Sequence, residues 1–339
     1  MHQPSLPRLD DLLASAHVVS LPMRVRFRGV EVREALLLQG PAGWGEFSPF
    51  LEYGDAEAAR WLAAALDSGW RPPPAAVRDV VPVNATVPAV RAADVAGVLA
   101  RFDGCTTAKV KVAEPGQSLS DDVARVAEVR ALLGASGRVR VDANGAWTVD
   151  DARRALAALA PYELEYAEQP CATLPELAAL RVDLARAGLD VLVAADESIR
   201  KAEDPLRVAA TGSADVVVVK VAPLGGVASA LEVAAACGLP VVVSSALDTS
   251  VGIAGGVALA AALPVLPFAC GLGTVGLFER DVASAPLRPS GGVLSVSAAS
   301  DVAPDALAQC AAPADRREWW LDRLVRCYDV LARARAETR

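Results

Sequence analysis

The stretch Asp215-Val-Val-Val-Val-Lys220 sets four β-branched residues in a row between two charges. A strand with one wet face alternates apolar and polar side chains. An unbroken apolar run instead marks a strand covered on both faces, as in a parallel sheet packed under helices. Seven more short β-rich runs accompany it: Val81–Val87, Ala108–Val112, Val139–Ala143, Glu165–Glu168 and Val191–Asp196 before it, Val241–Ser245 and Phe268–Cys270 after it. Successive runs begin 27, 31, 26, 26, 25, 25 and 27 residues apart, with Ala/Leu/Val-rich helical stretches between them. Eight evenly spaced strands with helical crossovers predict an α/β fold closed into a parallel barrel. Between the second and third runs a helix over about Leu119–Leu133 is expected, opening at Ser120-Asp-Asp122 and closing near Gly134. No short-period sequence repeat accompanies this; the repetition is architectural.

Outside the runs the chain changes character. Val18–Phe27 and Val30–Leu38 read as a hairpin around Arg28-Gly29, followed by Gly43-Trp44-Gly45-Glu46 and a helix from about Asp55 to Asp67. The proline-rich Arg71-Pro-Pro-Pro-Ala75 ends this preamble. After the eighth run come a Gly/Pro/Ser-rich stretch, Ser284–Ser297, and a charged amphipathic helix from about Pro313. Neither end has an obvious core of its own, so both are expected to pack together beside the barrel. The expected divisions are an α+β unit over 1–80, the barrel over 81–283, and a C-terminal segment, 284–339, that packs back on the first unit.

Composition narrows the function. The 339 residues carry 33 Lys and Arg against 41 Asp and Glu, a formal charge of −8 that argues against a nucleic-acid binder. Only two histidines occur, His2 and His17, which argues against a Ser-His-Asp hydrolase, an HExxH protease or a His-rich zinc site. The six cysteines form no CxxC and read as buried small hydrophobes in a reducing compartment. The N-terminal residues include charges and no apolar h-region, so a cytoplasmic protein is expected. Thr249–Phe278 runs thirty residues without a charge, but Pro264, Pro267 and six glycines interrupt it and no basic cluster flanks it. A buried helix followed by a buried strand is expected there, with no membrane partner.

In a parallel barrel the chemistry gathers at the C-terminal ends of the strands. Those ends read Lys109-Val-Lys111, Asp142-Ala-Asn144, Glu168-Gln-Pro170, Asp196-Glu-Ser198, Lys220 and Ser244-Ser245. Residues two apart share a face, so Lys109 and Lys111 point inward together, as do Arg140, Asp142 and Asn144. Taken singly, a KxK is an ordinary solvated strand end, and Asp196-Glu-Ser198 could cap the helix after it. Taken together, buried charges at five consecutive strand ends are costly unless paired or metal-bound. Asp142, Glu168 and Asp196 offer three carboxylates and no sulfur or imidazole, which suits a hard cation such as Mg²⁺. Lysines flank that site from opposite sides of the barrel. A lysine near a divalent cation and another lysine has its pKa lowered and becomes usable as a general base. Metal plus lysine is an arrangement for removing a proton beside a carboxylate and holding the resulting enediolate.

These same motifs resemble the enolase superfamily, in its muconate lactonizing enzyme subgroup. The resemblance covers nearly the whole chain and implies a (β/α)7β TIM-like barrel with an α+β capping domain built from both termini. It disfavours branches that use a histidine base late in the barrel, since none follows His17. Gly43-Trp-Gly-Glu-Phe-Ser-Pro49, Leu51-Glu-Tyr53, Ser244-Ser-Ala-Leu-Asp-Thr-Ser250 and Gly271-Leu-Gly-Thr274 further resemble a dehydrating family of that subgroup, of actinobacterial type, that serves menaquinone synthesis. That implies syn elimination of water from 2-succinyl-6-hydroxy-2,4-cyclohexadiene-1-carboxylate. By the same resemblance Lys111 is the base, Lys220 its electrostatic partner on the opposite face, and Lys109 tunes Lys111. Mg²⁺, with Mn²⁺ as a substitute, holds the enediolate. Ser244 and Ser245, with backbone near Gly271 and Gly273, receive the succinyl carboxylate, and Arg140 and Asn144 are further candidate contacts. The rival on the same scaffold is a two-lysine racemase of N-succinylamino acids or an epimerase of dipeptides. Asp248 stands without a second Asp two residues away, whereas a dipeptide epimerase would carry a DxD there. A non-catalytic barrel would have lost a ligand or a lysine, and none is missing.

Three features stay apart from this scheme. Gly271-Leu-Gly-Thr-Val-Gly276 matches the dinucleotide pattern GxGxxG but falls in the last loop of the barrel with no acidic residue about twenty positions on. Trp44, Phe47, Phe50 and Tyr53 read either as a lid or as core, and the reach of the Arg24–Gly29 loop stays open. The Trp319-Trp320 pair reads as packing of the last helix.

Overall fold

The computed structural model describes residues 6–199, 204–297 and 301–337; His2 lies outside them. The chain begins with an antiparallel sheet of β1 (Ala16–Phe27), β2 (Val30–Gly40) and β3 (Gly43–Phe47). Arg28 and Gly29, at φ 52° and 77°, turn β1 into β2. Two left-handed residues in succession match the twist of the strands they join. The helix Asp55–Trp70 packs on this sheet through Ala58, Trp61, Leu62, Ala65 and Leu66, spaced three and four apart on its buried face. It runs one turn beyond Asp67. Gly45 makes the close approach possible, because a Cβ there would overlap the Ala65 carbonyl oxygen.

The last helix, Ala314–Glu337, returns to this unit. Its Trp320 is fully buried, lies edge-on to Phe47 at 5.7 Å and donates Nε1 to Glu34 at 2.9 Å. Arg316 grips the same carboxylate with both ends of its fork, at 2.8 and 2.6 Å. The two ends of the chain thus share one core.

Seven parallel strands form the barrel wall in chain order: β5 (Ala85–Val87), β6 (Thr107–Lys111), β7 (Arg138–Asp142), β8 (Leu164–Glu168), β9 (Leu192–Ala195), β10 (Val216–Val219) and β11 (Val241–Val243). Tyr166, Ala194, Val216, Val218 and Val242 fill the interior with Phe268. Ala108, Val110, Val139, Val141, Val193 and Val217 face the surrounding helices and are buried there. This double burial explains the unbroken apolar runs. Leu119–Leu133 is helical throughout, but its cap is Ser118, in a reciprocal box with Asp121.

Two runs depart from expectation. The first splits: β4 (Val80–Pro82) pairs antiparallel with β12 (Val293–Ser295), and only Ala85–Val87 enters the barrel. Pro82 lacks the N–H that an internal ladder needs. The eighth run, 268–270, forms no ladder. Instead Cys270 N donates to Pro82 O at 2.7 Å, Asn84 N to Cys270 O at 2.9 Å and Gly271 N to Val243 O at 2.8 Å. These bonds bridge the two open edges and close the ring. The uncharged stretch resolves into the helix Ser250–Ala262 and this closing segment. Among the described residues no helix is long and apolar enough to cross a membrane.

Candidate active site

Strand register assembles the site. Lys111 lies opposite Asp142, and Asp142 opposite Glu168, so three successive strands end their inward rows at one level. Lys109 Nζ donates to Glu168 Oε1 at 2.6 Å and stands 3.3 Å from Asp142 Oδ2. Lys111 Nζ bonds Asp142 Oδ2 and donates to Asn144 Oδ1 at 2.6 Å. Across the barrel Lys220 Nζ donates to Asp196 Oδ2 at 2.6 Å. Gln169 locks the loops after β8 and β9 together: its Oε1 accepts from Asp196 N at 2.9 Å and its Nε2 donates to Ser198 Oγ at 3.0 Å. Asp196-Glu-Ser198 is therefore tied to the rim of the barrel by its neighbour strand.

Burial and neighbours set the protonation of these groups in different directions. Burial pushes the Glu168 carboxyl up, with Asp142 adding to it, to about 7. Burial also acts on Asp142, but Lys111 and Lys109 outweigh it and hold that carboxyl well below the usual range. Lys109 is raised despite its burial, because Glu168 and Asp142 both favour its charge. Lys111 is held below an ordinary lysine: burial leads, opposed by Asp142 and reinforced by the Lys109 charge.

The three carboxylates fit a hard cation. All donors are oxygen, and Glu168 Oε2 is buried without a hydrogen-bond partner, aimed at nothing the protein supplies. Among the described residues no three acidic, His or Cys groups already stand at metal-ligand spacing. The lysine ammoniums explain that, since each is drawn onto one of the acids.

Above this floor lies a cleft open to solvent. Lys109, Lys111, Asp142, Asn144, Lys220, Ser244, Ser245 and Gly271 line it, with Glu168 and Asp196 beneath or beside it. Ser245 Oγ is already engaged, donating to Gly271 O at 2.8 Å and sharing a bond with Thr274 Oγ1 at 2.9 Å. Asn144, at φ 47°, passes the strand end and links Lys111 to Glu197 Oε1, 3.1 Å away. Arg140 is a correction. It points inward but at a lower level, where it pairs with Glu165, donates to Asn84 Oδ1 at 3.1 Å and stacks on Tyr166 at 4.7 Å. Two residues up a strand is a rise of about 6–7 Å, so Arg140 belongs to the barrel's filling. Gly273 is not among the residues that line the cleft, although its neighbour Thr274 is; a Cβ on it would meet Asn84 O and Phe102. The GxGxxG segment opens only one 3-10 turn, Thr274–Leu277, and no long helix.

The sequence left the capping-domain contribution open, and the structure fills it in. Phe27, Arg28 and Phe50 line the cleft, with Arg28 3.9 Å from Glu197 and stacked 4.9 Å above Phe50. Of the four aromatics in question, Phe50 faces the cleft and Phe47 is core. The signal for Arg28 was its place at a hairpin tip, which fixes a turn but not where the hairpin leans.

A barrel capped by both chain ends, with three carboxylates on successive strands and lysines on the strands either side, defines a member of the enolase superfamily, and the chain belongs to it. Residues 91–300 match the enolase C-terminal domain-like family and residues 18–69 the enolase N-terminal domain-like family. Among curated relatives, the o-succinylbenzoate synthase of Mycolicibacterium smegmatis is 61% identical over 327 residues, covering 96% of this chain and 99% of that one. That of Mycobacterium tuberculosis is 57% identical over 329 residues, covering 97% and 98%. Within the superfamily, the chain's family is that of the o-succinylbenzoate synthases. The fold is shared with muconate lactonizing enzyme of Pseudomonas fluorescens (TM-score 0.74, 22% identity, 88% of this chain and 98% of that one). It is shared too with the L-Ala-D/L-Glu epimerase of Bacillus subtilis (TM-score 0.70, 23% identity, 83% and 94%).

Proposed function

We propose that the chain dehydrates 2-succinyl-6-hydroxy-2,4-cyclohexadiene-1-carboxylate to 2-succinylbenzoate, with Lys111 as the base. The observation that carries the residue roles is the pair of lysines on opposite walls of one cleft, over a floor of carboxylates. Neutral Lys111 Nζ takes the proton from C1, beside the carboxylate. The same ammonium then gives it to the hydroxyl on C6, which leaves as water from the same face. The C1–H and C6–O bonds break, a C1–C6 double bond forms, and the ring becomes aromatic. Lys220, held on Asp196, stays protonated on the far side and stabilises the charge that develops. Lys109 keeps its own proton because Glu168 and Asp142 hold it, which disfavours a second charge on Lys111 beside it.

Asp142, Glu168 and Asp196 would hold Mg²⁺, or Mn²⁺ in its place. When bound, that cation draws electron density from the substrate carboxylate and so acidifies the neighbouring C–H. Ser244, the Gly271 backbone and Arg28, which line the cleft, would receive the succinyl carboxylate. Such a small-molecule carboxylate is the partner this cleft suits, and a cytoplasmic setting suits the free cysteines. The boundaries that fit this function are a cap over 1–80, a barrel over 81–283, and 284–339 returning to the cap. The two-lysine racemase reading uses the same walls, but the high-identity relatives all carry the synthase description.

The test is a spectrophotometric assay on the cyclohexadiene substrate with Mg²⁺, with chelator, and with Lys111→Ala and Lys220→Ala. Metal-dependent conversion that collapses in both variants is expected. No conversion, together with α-proton exchange on N-succinylamino acids that needs both lysines, would replace the synthase by the racemase.

A further inference from the structure

Leu247 is a non-glycine residue in the left-handed region, at φ 61°, and it lines the cleft together with its neighbour Ala246. A branched side chain stays in that conformation only when its surroundings over-determine it. One residue touches the backbone on both sides of this strain. Arg33, on β2 of the capping sheet and 3% exposed, donates Nε to Leu247 O at 3.1 Å and Nη2 to Ala246 O at 3.3 Å. Its Nη2 also bonds Ser48 O, and its guanidinium stacks 4.6 Å from the ring centroid of Phe50, the capping aromatic that faces the cleft. Burial disfavours the charge on Arg33, and the buried Glu46 and Asp248 beside it oppose that.

Arg33 itself does not line the cleft. Its five-donor fork instead fixes two walls of that cleft relative to each other: the Ala246–Leu247 wall from the barrel and the Phe50 wall from the cap. The first wall continues directly from Ser244 and Ser245. We infer that Arg33 is a positioning residue, which clamps the capping sheet to the loop after β11 and so shapes the part of the cleft that receives the substrate's succinyl chain. The inference rests on the synthase reading for the identity of that chain, and on geometry alone for the clamp.

The clamp predicts a particular kinetic signature. Lys111, Lys220 and the carboxylate floor lie on other strands, so proton transfer is left intact when the clamp is loosened. Arg33→Lys keeps the charge between Glu46 and Asp248 but cannot reach three carbonyls at once. Its expected effect is a rise in KM of about tenfold or more, with kcat within about threefold of the parent. A crystal structure of Arg33→Lys is expected to show Leu247 out of the left-handed region or Phe50 displaced. An unchanged KM in a folded variant, a fall in kcat alone, or an unmoved Leu247 and Phe50 would overturn the inference. Arg33→Gln is the second variant, and failure of both to fold would make the residue structural only and overturn it as well. Absence of dehydration in the parent enzyme would instead remove the synthase reading, and the crystal structure would still decide the clamp.

Discussion

Replacing Lys109 by methionine keeps the bulk of the side chain and removes the ammonium that stands 2.6 Å from Glu168 Oε1 and 3.3 Å from Asp142 Oδ2. Both carboxyl groups are about 1% exposed, so water cannot take its place. Removing one partner of a buried pair costs about 3–5 kcal/mol, because the remaining charge is stranded. Glu168 has an outlet: burial and Asp142 push its carboxyl up to about 7 against the pull of Lys109, so without that ammonium it is pushed higher still and can take up a proton. The cost is therefore expected to grow as pH rises and the variant's Glu168 loses that proton. At roughly 2 °C per kcal/mol for a chain of this size, the metal-free variant should melt about 6–10 °C below the parent. A divalent cation would restore the missing positive charge. At a hundred times its Kd it adds about 2.7 kcal/mol of stability, and more of that should appear in the variant, where no ammonium must first leave Glu168. Calorimetric scans of both proteins at one scan rate, with chelator and with Mg²⁺, measure the two increments. A variant as stable as its parent in chelator would refute the pairing argument. A Mg²⁺ increment no larger in the variant than in the parent would refute the assignment of Glu168 and Asp142 to the metal.

Lys111→Ala should lower turnover by about 10²–10⁴-fold while the Mg²⁺-induced rise in melting temperature persists; near-normal turnover would remove Lys111 from the base role. Glu46, buried beside Asp248, keeps its proton up to about 7 against 4.5 for an ordinary glutamate. The folded state thus binds the extra proton between those values, so stability falls as pH rises from about 4.5 to 7 and is level above. Glu46→Gln should flatten that slope in pH-dependent urea titrations, and an unchanged slope would assign it to other groups. Gly45→Ala places a methyl group on the Ala65 carbonyl and should destabilise the cap by at least about 2 kcal/mol, read as a lowered urea midpoint.

Much of this was legible in the sequence because the parallel barrel imposes a repeat on the chain. Double-sided burial made Val216–Val219 an unbroken run, and crossover helices kept the runs evenly spaced. The inward parity of Lys109, Lys111 and Asp142 followed from the pleat alone. Height within the barrel did not, which is how Arg140 came to be counted with the site: alternation fixes a face, and only register fixes a level. The eighth strand failed for a related reason, since a segment that closes a ring by backbone bonds needs partners whose positions are set by the other seven strands. The contributions of Arg28, Phe50 and Arg33 were out of reach, because they depend on how one folded unit leans on another. No local pattern records that angle.

Charge explains why these parts occur together. At the strand ends the ammoniums of Lys109, Lys111 and Lys220 face the carboxylates of Asp142, Glu168 and Asp196, and at the rim Arg28 faces Glu197. Fully ionised, these described groups cancel, and among them no surplus is left with which to attract a dicarboxylate. A neutral Lys111, which the base role requires, leaves the balance one charge more negative. A divalent cation on the three all-oxygen ligands Asp142, Glu168 and Asp196 would offset the two substrate carboxylates in so desolvated a place. Metal and dianion must then favour one another's binding by the same factor, since each relieves the charge the other leaves behind. Lys109 has to remain protonated through this exchange. Two carboxylates rather than one keep it so.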